Sequence, residues 1–151
     1  MNISAALAGV SRLGVETSPF IYFVEENPNY LDRVRYVFQQ AASGRFMIVT
    51  STISLTEVLV LPMQTGNSQY ENAYRAMLMN SENVSTVAVS PAIAEQAAFL
   101  RAKYRLRTPD ALHIATAIVS ECEAILTNDL GLRRVTEIAV LVLDDLSLEG
   151  L

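Results

Sequence analysis

Short apolar runs of strand character alternate with helical segments along nearly the whole chain, and that alternation admits few folds. Ile3, Ala6, Leu7 and Val10 recur at helical spacing ahead of a brief strand-like run, Leu13 to Val15. Thr17-Ser18-Pro19 offers a capping hydroxyl and a first-turn proline, so a helix is expected from Phe20 to about Asn27-Pro28. Leu31, Val34, Val37, Phe38 and Ala41 share one face of a second helix that stops at Ser43-Gly44, and Phe46 to Thr50 reads as a strand. Ser54-Leu55-Thr56-Glu57 is expected to open a helix reaching about Pro62, and Tyr70, Ala73, Tyr74, Met77 and Leu78 mark another. Val84 to Val89 reads as a strand, Pro91 and Thr108-Pro109 start two more helices, and Ala124 to Thr127 and Ile138 to Leu143 are the last strands.

Strands separated by helices imply a parallel sheet with right-handed crossovers and helices on both faces. The expected architecture is α/β: three α/β/α layers around a central parallel sheet of four or five strands. A length of 151 residues matches one domain, 1–151, with residues 1–12 as a short N-terminal extension. In open parallel sheets ligands bind in the crevice outside the carboxyl ends of the strands. Residues that follow strands are therefore the ones to inspect.

Composition narrows the chemistry. The chain is 51% hydrophobic with mean hydropathy +0.28, yet runs such as Ile53 to Met63 fall short of the ~18 residues of a spanning helix. No positive charge precedes the short apolar stretch at the N-terminus, which is unlike a secretory signal. One cysteine, Cys122, and one histidine, His113, supply neither a disulfide nor a zinc cage, so a reducing cytoplasm is expected, and any metal bound is expected to have oxygen ligands. A net charge of −5 argues against broad coating of nucleic acid and restricts any such partner to a local site.

Four carboxylates map to one edge of the expected sheet. Glu16 and Asp129 directly follow strands, while Glu57 and Asp110 lie at the starts of helices. Each has a structural explanation: Glu57 would complete a capping box with Ser54, Asp110 suits a helix start, and Asp129 after Asn128 suits a turn. Glu16 has the weakest, because an acid ahead of a Thr/Ser cap adds little to capping. Several carboxylates brought together repel unless a cation joins them, and oxygen-only ligands suit Mg²⁺ or Mn²⁺.

The segments VETSPFIYFVEENPNYLDRV, TSTISLTEVLVLP, RTPDALHIATAI and ILTNDLGLRRV resemble, in order and spacing, the four acidic motifs of PIN domains, in particular the VapC-type bacterial toxin ribonucleases. The resemblance runs from about Leu13 to Leu143, and RTPDALHIATA with LTND is its most specific part. It implies a metal-dependent endoribonuclease whose catalytic and metal-binding acids match Glu16, Glu57, Asp110 and Asp129. Asp110 and Glu16 would be direct ligands, with Asp129 and Glu57 binding a second metal or orienting water. It further implies Mg²⁺ or Mn²⁺ as cofactor, single-stranded RNA as substrate, products with a 5′-phosphate and a 3′-hydroxyl, a homodimer, a small antitoxin partner and no membrane. In that family the first acid is normally aspartate. The extra methylene of Glu16 moves the carboxylate by about an ångström, and a catalytic group misplaced by about 1 Å can cost on the order of a hundredfold in rate. The alternative is therefore a catalytically impaired PIN-like module that binds RNA or protein.

Supporting residues carry two readings each. Thr17, Thr127 and Asn128 flank the acids and can fix their rotamers or touch phosphate, or simply cap and turn. Arg101, Lys103, Arg105 and Arg107 place four of the chain's eleven positive charges within seven residues before Asp110, and Arg133-Arg134 follow Asp129. They are candidates for phosphate contact, or cations suited to a helix end. His113, one turn beyond Asp110 on an apolar helix, reads as a packed, hydrogen-bonded side chain, and Cys122 as a small buried one. No GxxxxGK[ST], GxGxxG or nucleophile elbow occurs, which disfavours nucleotide-cradling loops and a Ser-His-Asp hydrolase.

Overall fold

The alternating periodicities resolve into seven α-helices and five strands in the computed structural model, which describes residues 1–151. They are α1 (Ile3–Ala6), β1 (Arg12–Val15), α2 (Thr17–Val24), α3 (Leu31–Ala42), β2 (Met47–Ser51), α4 (Thr52–Thr65), α5 (Ser68–Met79), β3 (Val84–Val87), α6 (Pro91–Tyr104), α7 (Thr108–Val119), β4 (Ala124–Thr127) and β5 (Ala139–Val142). Two 3₁₀ turns, Leu130–Arg134 and Leu143–Asp145, flank β5. All sheet pairings are parallel, in the order β3-β2-β1-β4-β5, as expected for three α/β/α layers. No helix is long and apolar enough to cross a membrane.

Period-2 alternation divides the interior into two cores. Leu13, Val15, Ile48, Ala124 and Leu126 join Phe20, Val34, Phe38, Tyr74 and Leu78 from α2, α3 and α5. Ile125 instead joins Ile93, Ala97 and Leu100 of α6 and Ala111, Ile114, Ala115 and Ala117 of α7. The residues ahead of β1 belong to the first core: Ile3 and Leu7 are buried, and Asn2 forms a parallel bridge with Ser147.

Gly14 explains how α7 comes so close to the sheet. A Cβ at this position would lie 2.7 Å from the Ala117 Cβ, so glycine on β1 and alanine on α7 let backbone approach backbone.

The boundaries of two helices, α4 and α2, differ from expectation for identifiable reasons. α4 starts at Thr52, with the Ser51 hydroxyl accepting from the Ile53 N–H at 3.1 Å, because the upstream serine takes the cap and frees Ser54 to be buried. It also runs through Pro62 for one more turn, closed by left-handed Gly66 and an Asn67 N–H to Pro62 carbonyl bond of 2.9 Å. α2 starts at Thr17, so Glu16 itself occupies the cap position, yet its side chain makes no capping bond.

Candidate functional site

The strand order reverses at β1: the chain leaves it toward β2 on one side and reaches β4 on the other much later. A crevice outside the carboxyl ends of β1 and β4 follows from that reversal. Glu16 leaves β1 here, its N–H donating to the Leu126 carbonyl at 3.1 Å, and Asn128-Asp129 leave β4. α4 grows straight out of β2 and carries Glu57 in its second turn. α7 ends where the chain turns into the start of β4, so its first turn, with Asp110, lies about 18 Å away at the opposite, carboxyl-end edge.

Glu16 is an acid in an apolar setting. Only 7% of it is exposed, and burial is the chief reason its carboxyl is pushed above the ordinary glutamate range. The Thr127 hydroxyl, the charge of His113 and the Asn128 N–H, 3.5 Å from Oε1, oppose that shift, while the negative charge of Asp110 adds to it. No cation pairs with Glu16.

Glu57 is the opposite case. Its Oε1 accepts from His113 Nε2 at 2.7 Å and from the Thr17 hydroxyl at 2.8 Å, and these bonds, His113 first, hold its carboxyl below the ordinary range against partial burial. Its expected capping box with Ser54 is absent, because Ser54 lies inside α4, fully buried, and bonds the hydroxyls of Thr50 at 2.9 Å and Thr17 at 3.3 Å. Thr50 in turn donates to the Val15 carbonyl at 2.8 Å. A buried ladder of hydroxyls thus ties β1, α2 and α4 together beneath the acids.

Asp110 is paired with Arg107, whose Nε and Nη2 lie 3.1 and 3.4 Å from its two oxygens. The hydrogen bond from Asp110 and then its charge, with smaller contributions from the charges of Asp129 and Glu57, raise the exposed guanidinium above its ordinary value. Asp129 caps the 3₁₀ turn, accepting from the Gly131 N–H at 2.8 Å, and its own N–H donates to Thr127 Oγ1 at 3.0 Å. Asn128 is gripped at both ends: Nδ2 donates to the Tyr22 hydroxyl at 3.2 Å and Oδ1 accepts from the Asp144 N–H at 3.1 Å.

The other cations are mostly occupied elsewhere. Arg101 donates to the Leu106 carbonyl, Lys103 pairs with Glu137, Arg134 bonds the Tyr104 carbonyl, and Arg133 pairs with Asp145. Arg105 closes α6 in a left-handed conformation, and Arg107 is the cation paired with one of the four acids.

The chemistry of the donor set fits a hard divalent cation: carboxylate oxygens, one of them buried without a countercharge beside a second. The side chains do not converge on a common point, however, and no three of His, Cys, Asp or Glu stand close enough to hold a metal. Each of Glu57, Asp110 and Asp129 is instead turned onto its own local donor.

A family model described as PIN domain matches residues 15–138. The chain belongs to the PIN-domain family. Its PIN fold is shared with VapBC2 from Rickettsia felis, solved bound to a DNA fragment from its promoter (15% identity, 87% of this chain and 98% of the other, TM-score 0.71). It is also shared with a toxin–antitoxin complex from Klebsiella pneumoniae (22%, 88% and 98%, TM-score 0.64) and with Mycobacterium tuberculosis VapC20, a toxin that cleaves the sarcin–ricin loop (18%, 85% and 99%, TM-score 0.64). No curated protein sequence matches the chain. Within this PIN domain, sequence reasoning placed Glu16, Glu57, Asp110 and Asp129 as the site but gave His113 only a packing role. It is indeed buried and hydrogen-bonded, but its partner is a candidate site acid from 56 residues away, and no spacing rule links the two.

Proposed function

We propose that this PIN domain is a Mg²⁺- or Mn²⁺-dependent endoribonuclease and the toxin of a toxin–antitoxin pair. The observation that carries this reading is Glu16: a buried, cation-free carboxylate at the sheet's switch point, destabilised further by Asp110. Asp110 and Glu16 would hold the ion, with Asp129 and Glu57 completing the site or orienting water. When bound, the ion would offset charge on the scissile phosphate and leaving oxygen and make water more acidic. Thr127 and Asn128 hold Glu16 at the crevice floor, and Thr17 holds Glu57. Arg107, exposed and a single turn from Asp110, would exchange its carboxylate for an RNA phosphate.

Partners fit two other surfaces. A groove of about 900 Å³ between α2, α3 and α5, lined by Phe23, Leu31, Phe38, Ala73 and Met77 with Glu26 and Arg35 among its polar residues, would seat an apolar antitoxin segment. The exposed Val60, Leu61 and Met63 of α4 would contribute to a homodimer.

A second reading, a catalytically impaired RNA- or protein-binding module, is favoured by the separate tethering of the acids and by glutamate at position 16. Cleavage of single-stranded RNA with Mn²⁺ or Mg²⁺ by wild type, Asp110→Ala and Glu16→Asp decides between them. A nuclease cuts as wild type and fails as Asp110→Ala, whereas equal cutting by both sinks the assignment. Cutting by Glu16→Asp alone identifies the impaired module.

A further inference from the structure

The geometry points to His113 as the positioning residue for Glu57, fixing one oxygen of its carboxylate so that the other faces the crevice; the functional consequence rests on the nuclease reading above. Three polar atoms meet at one point: Glu57 Oε1 lies 2.7 Å from His113 Nε2 and 2.8 Å from Thr17 Oγ1, which are themselves 3.3 Å apart. A carboxylate only accepts, so Nε2 carries the proton and the Thr17 hydroxyl gives its single proton to the same oxygen. Glu57 Oε2 receives no hydrogen bond from the protein.

The anchors are rigid and the anchored group is not. His113 and Thr17 are buried, and Thr17 is braced through Ser54 and Thr50 to the end of β1. The Glu57 side chain is 41% exposed, and without those bonds its three torsions would be free to wander. Position 113 is also three residues beyond Asp110, which places both on one face of α7. One helix therefore sets two acids, Asp110 directly and Glu57 through an imidazole, and any rotation of α7 moves them together.

His113 is the only histidine, so its ring nitrogens give unambiguous ¹⁵N signals. In metal-free protein at pH 8 we expect a proton on Nε2 and a marked shift of that signal in Glu57→Ala. A bare Nε2, or a signal unmoved by Glu57→Ala, overturns the positioning role whether or not the protein cuts RNA. In cleavage assays His113→Leu is expected to lower kcat by about 10- to 100-fold, and His113→Gln, whose amide nitrogen reaches the Nε2 position, to restore most of it. In a Glu57→Ala background, adding His113→Leu should change kcat by less than about twofold. An undiminished effect of His113→Leu in that background overturns the proposal. If wild type cuts no RNA, the nuclease reading fails and the ¹⁵N result alone decides whether His113 anchors Glu57.

Discussion

Replacing Gly14 with alanine tests the contact on which the placement of Asp110 depends. The added Cβ would stand 2.7 Å from the Ala117 Cβ, 3.3 Å from Ile125 Cγ1 and 3.4 Å from the Ala124 carbonyl oxygen. Carbon atoms rest at about 3.5–4.0 Å, so α7 and β1 must part by roughly 1 Å, and the alanine methyl has no torsion by which to step aside. Overpacking of this kind costs about 1–3 kcal/mol, offset by the 0.4–1 kcal/mol that Gly→Ala typically returns through the unfolded chain. A net loss of about 1–2 kcal/mol corresponds to a fall in Tm of about 2–8 °C for a chain this size. Urea unfolding should show a lower midpoint with an unchanged slope. The same displacement moves Asp110 and His113 relative to Glu16, so cleavage should fall by up to about a hundredfold. Ala117→Gly alone costs about 1 kcal/mol of helix propensity, but added to Gly14→Ala it removes the clash, so the pair should be less destabilised than the sum of the singles. A Gly14→Ala protein within about 1 °C of wild type, or strict additivity of the pair, refutes the close-approach reasoning.

Arg107→Ala frees the Asp110 carboxylate; calorimetry with Mn²⁺ should show binding about two- to fivefold tighter, as expected for loss of an exposed ion pair, together with weaker RNA binding. Glu16→Gln should abolish cleavage while leaving metal-free protein at least as stable at pH 7. Because the folded-state pKa of Glu16 is raised, its contribution is fully present below the ordinary value of 4.5 and is lost as pH rises through the folded value, so the Tm advantage of the glutamine variant should open above that pH. Glu57 has the reverse sign: its lowered pKa stabilises above 4.5 and the benefit is lost as pH falls through the folded value, so Glu57→Gln should cost Tm at neutrality and converge with wild type in acid. Met77→Asp in the groove should prevent co-purification with an antitoxin encoded beside this chain and leave RNA cleavage intact.

Strand and helix order was legible because local signals agreed with burial. Pro91 and Pro109 begin helices at their first turns, Gly44 adopts a left-handed φ of 86° just beyond α3, and the apolar runs became strands, largely buried at the centre of the sheet and half-buried at its β3 and β5 edges. The start of α4 was not legible, since Ser51, Thr52 and Ser54 all offer capping hydroxyls and only tertiary burial of Ser54 decides among them. Acids after strands were expected at the carboxyl-end edge of the sheet, and Glu16 and Asp129 do leave β1 and β4 there. Their bonding partners did not follow from spacing, because the hydroxyl ladder and His113 come from β2, α2, α4 and α7, which only the packed sheet brings together.

The four acids are therefore unequal in a way that their positions alone would not suggest. Glu57 has two donors on one oxygen, which hold its carboxyl below the ordinary range, while Asp110 has a guanidinium and Asp129 a backbone N–H. Glu16 has neutral donors only, is the most buried of the four, and is pushed toward protonation. A fold that tethers three carboxylates and leaves a fourth buried and electrostatically unsatisfied carries a local cost that ordinary capping does not explain. A cation entering beside Glu16 would relieve that cost and compete with Arg107 for Asp110, so metal affinity should depend most on the residue that is least stable without it.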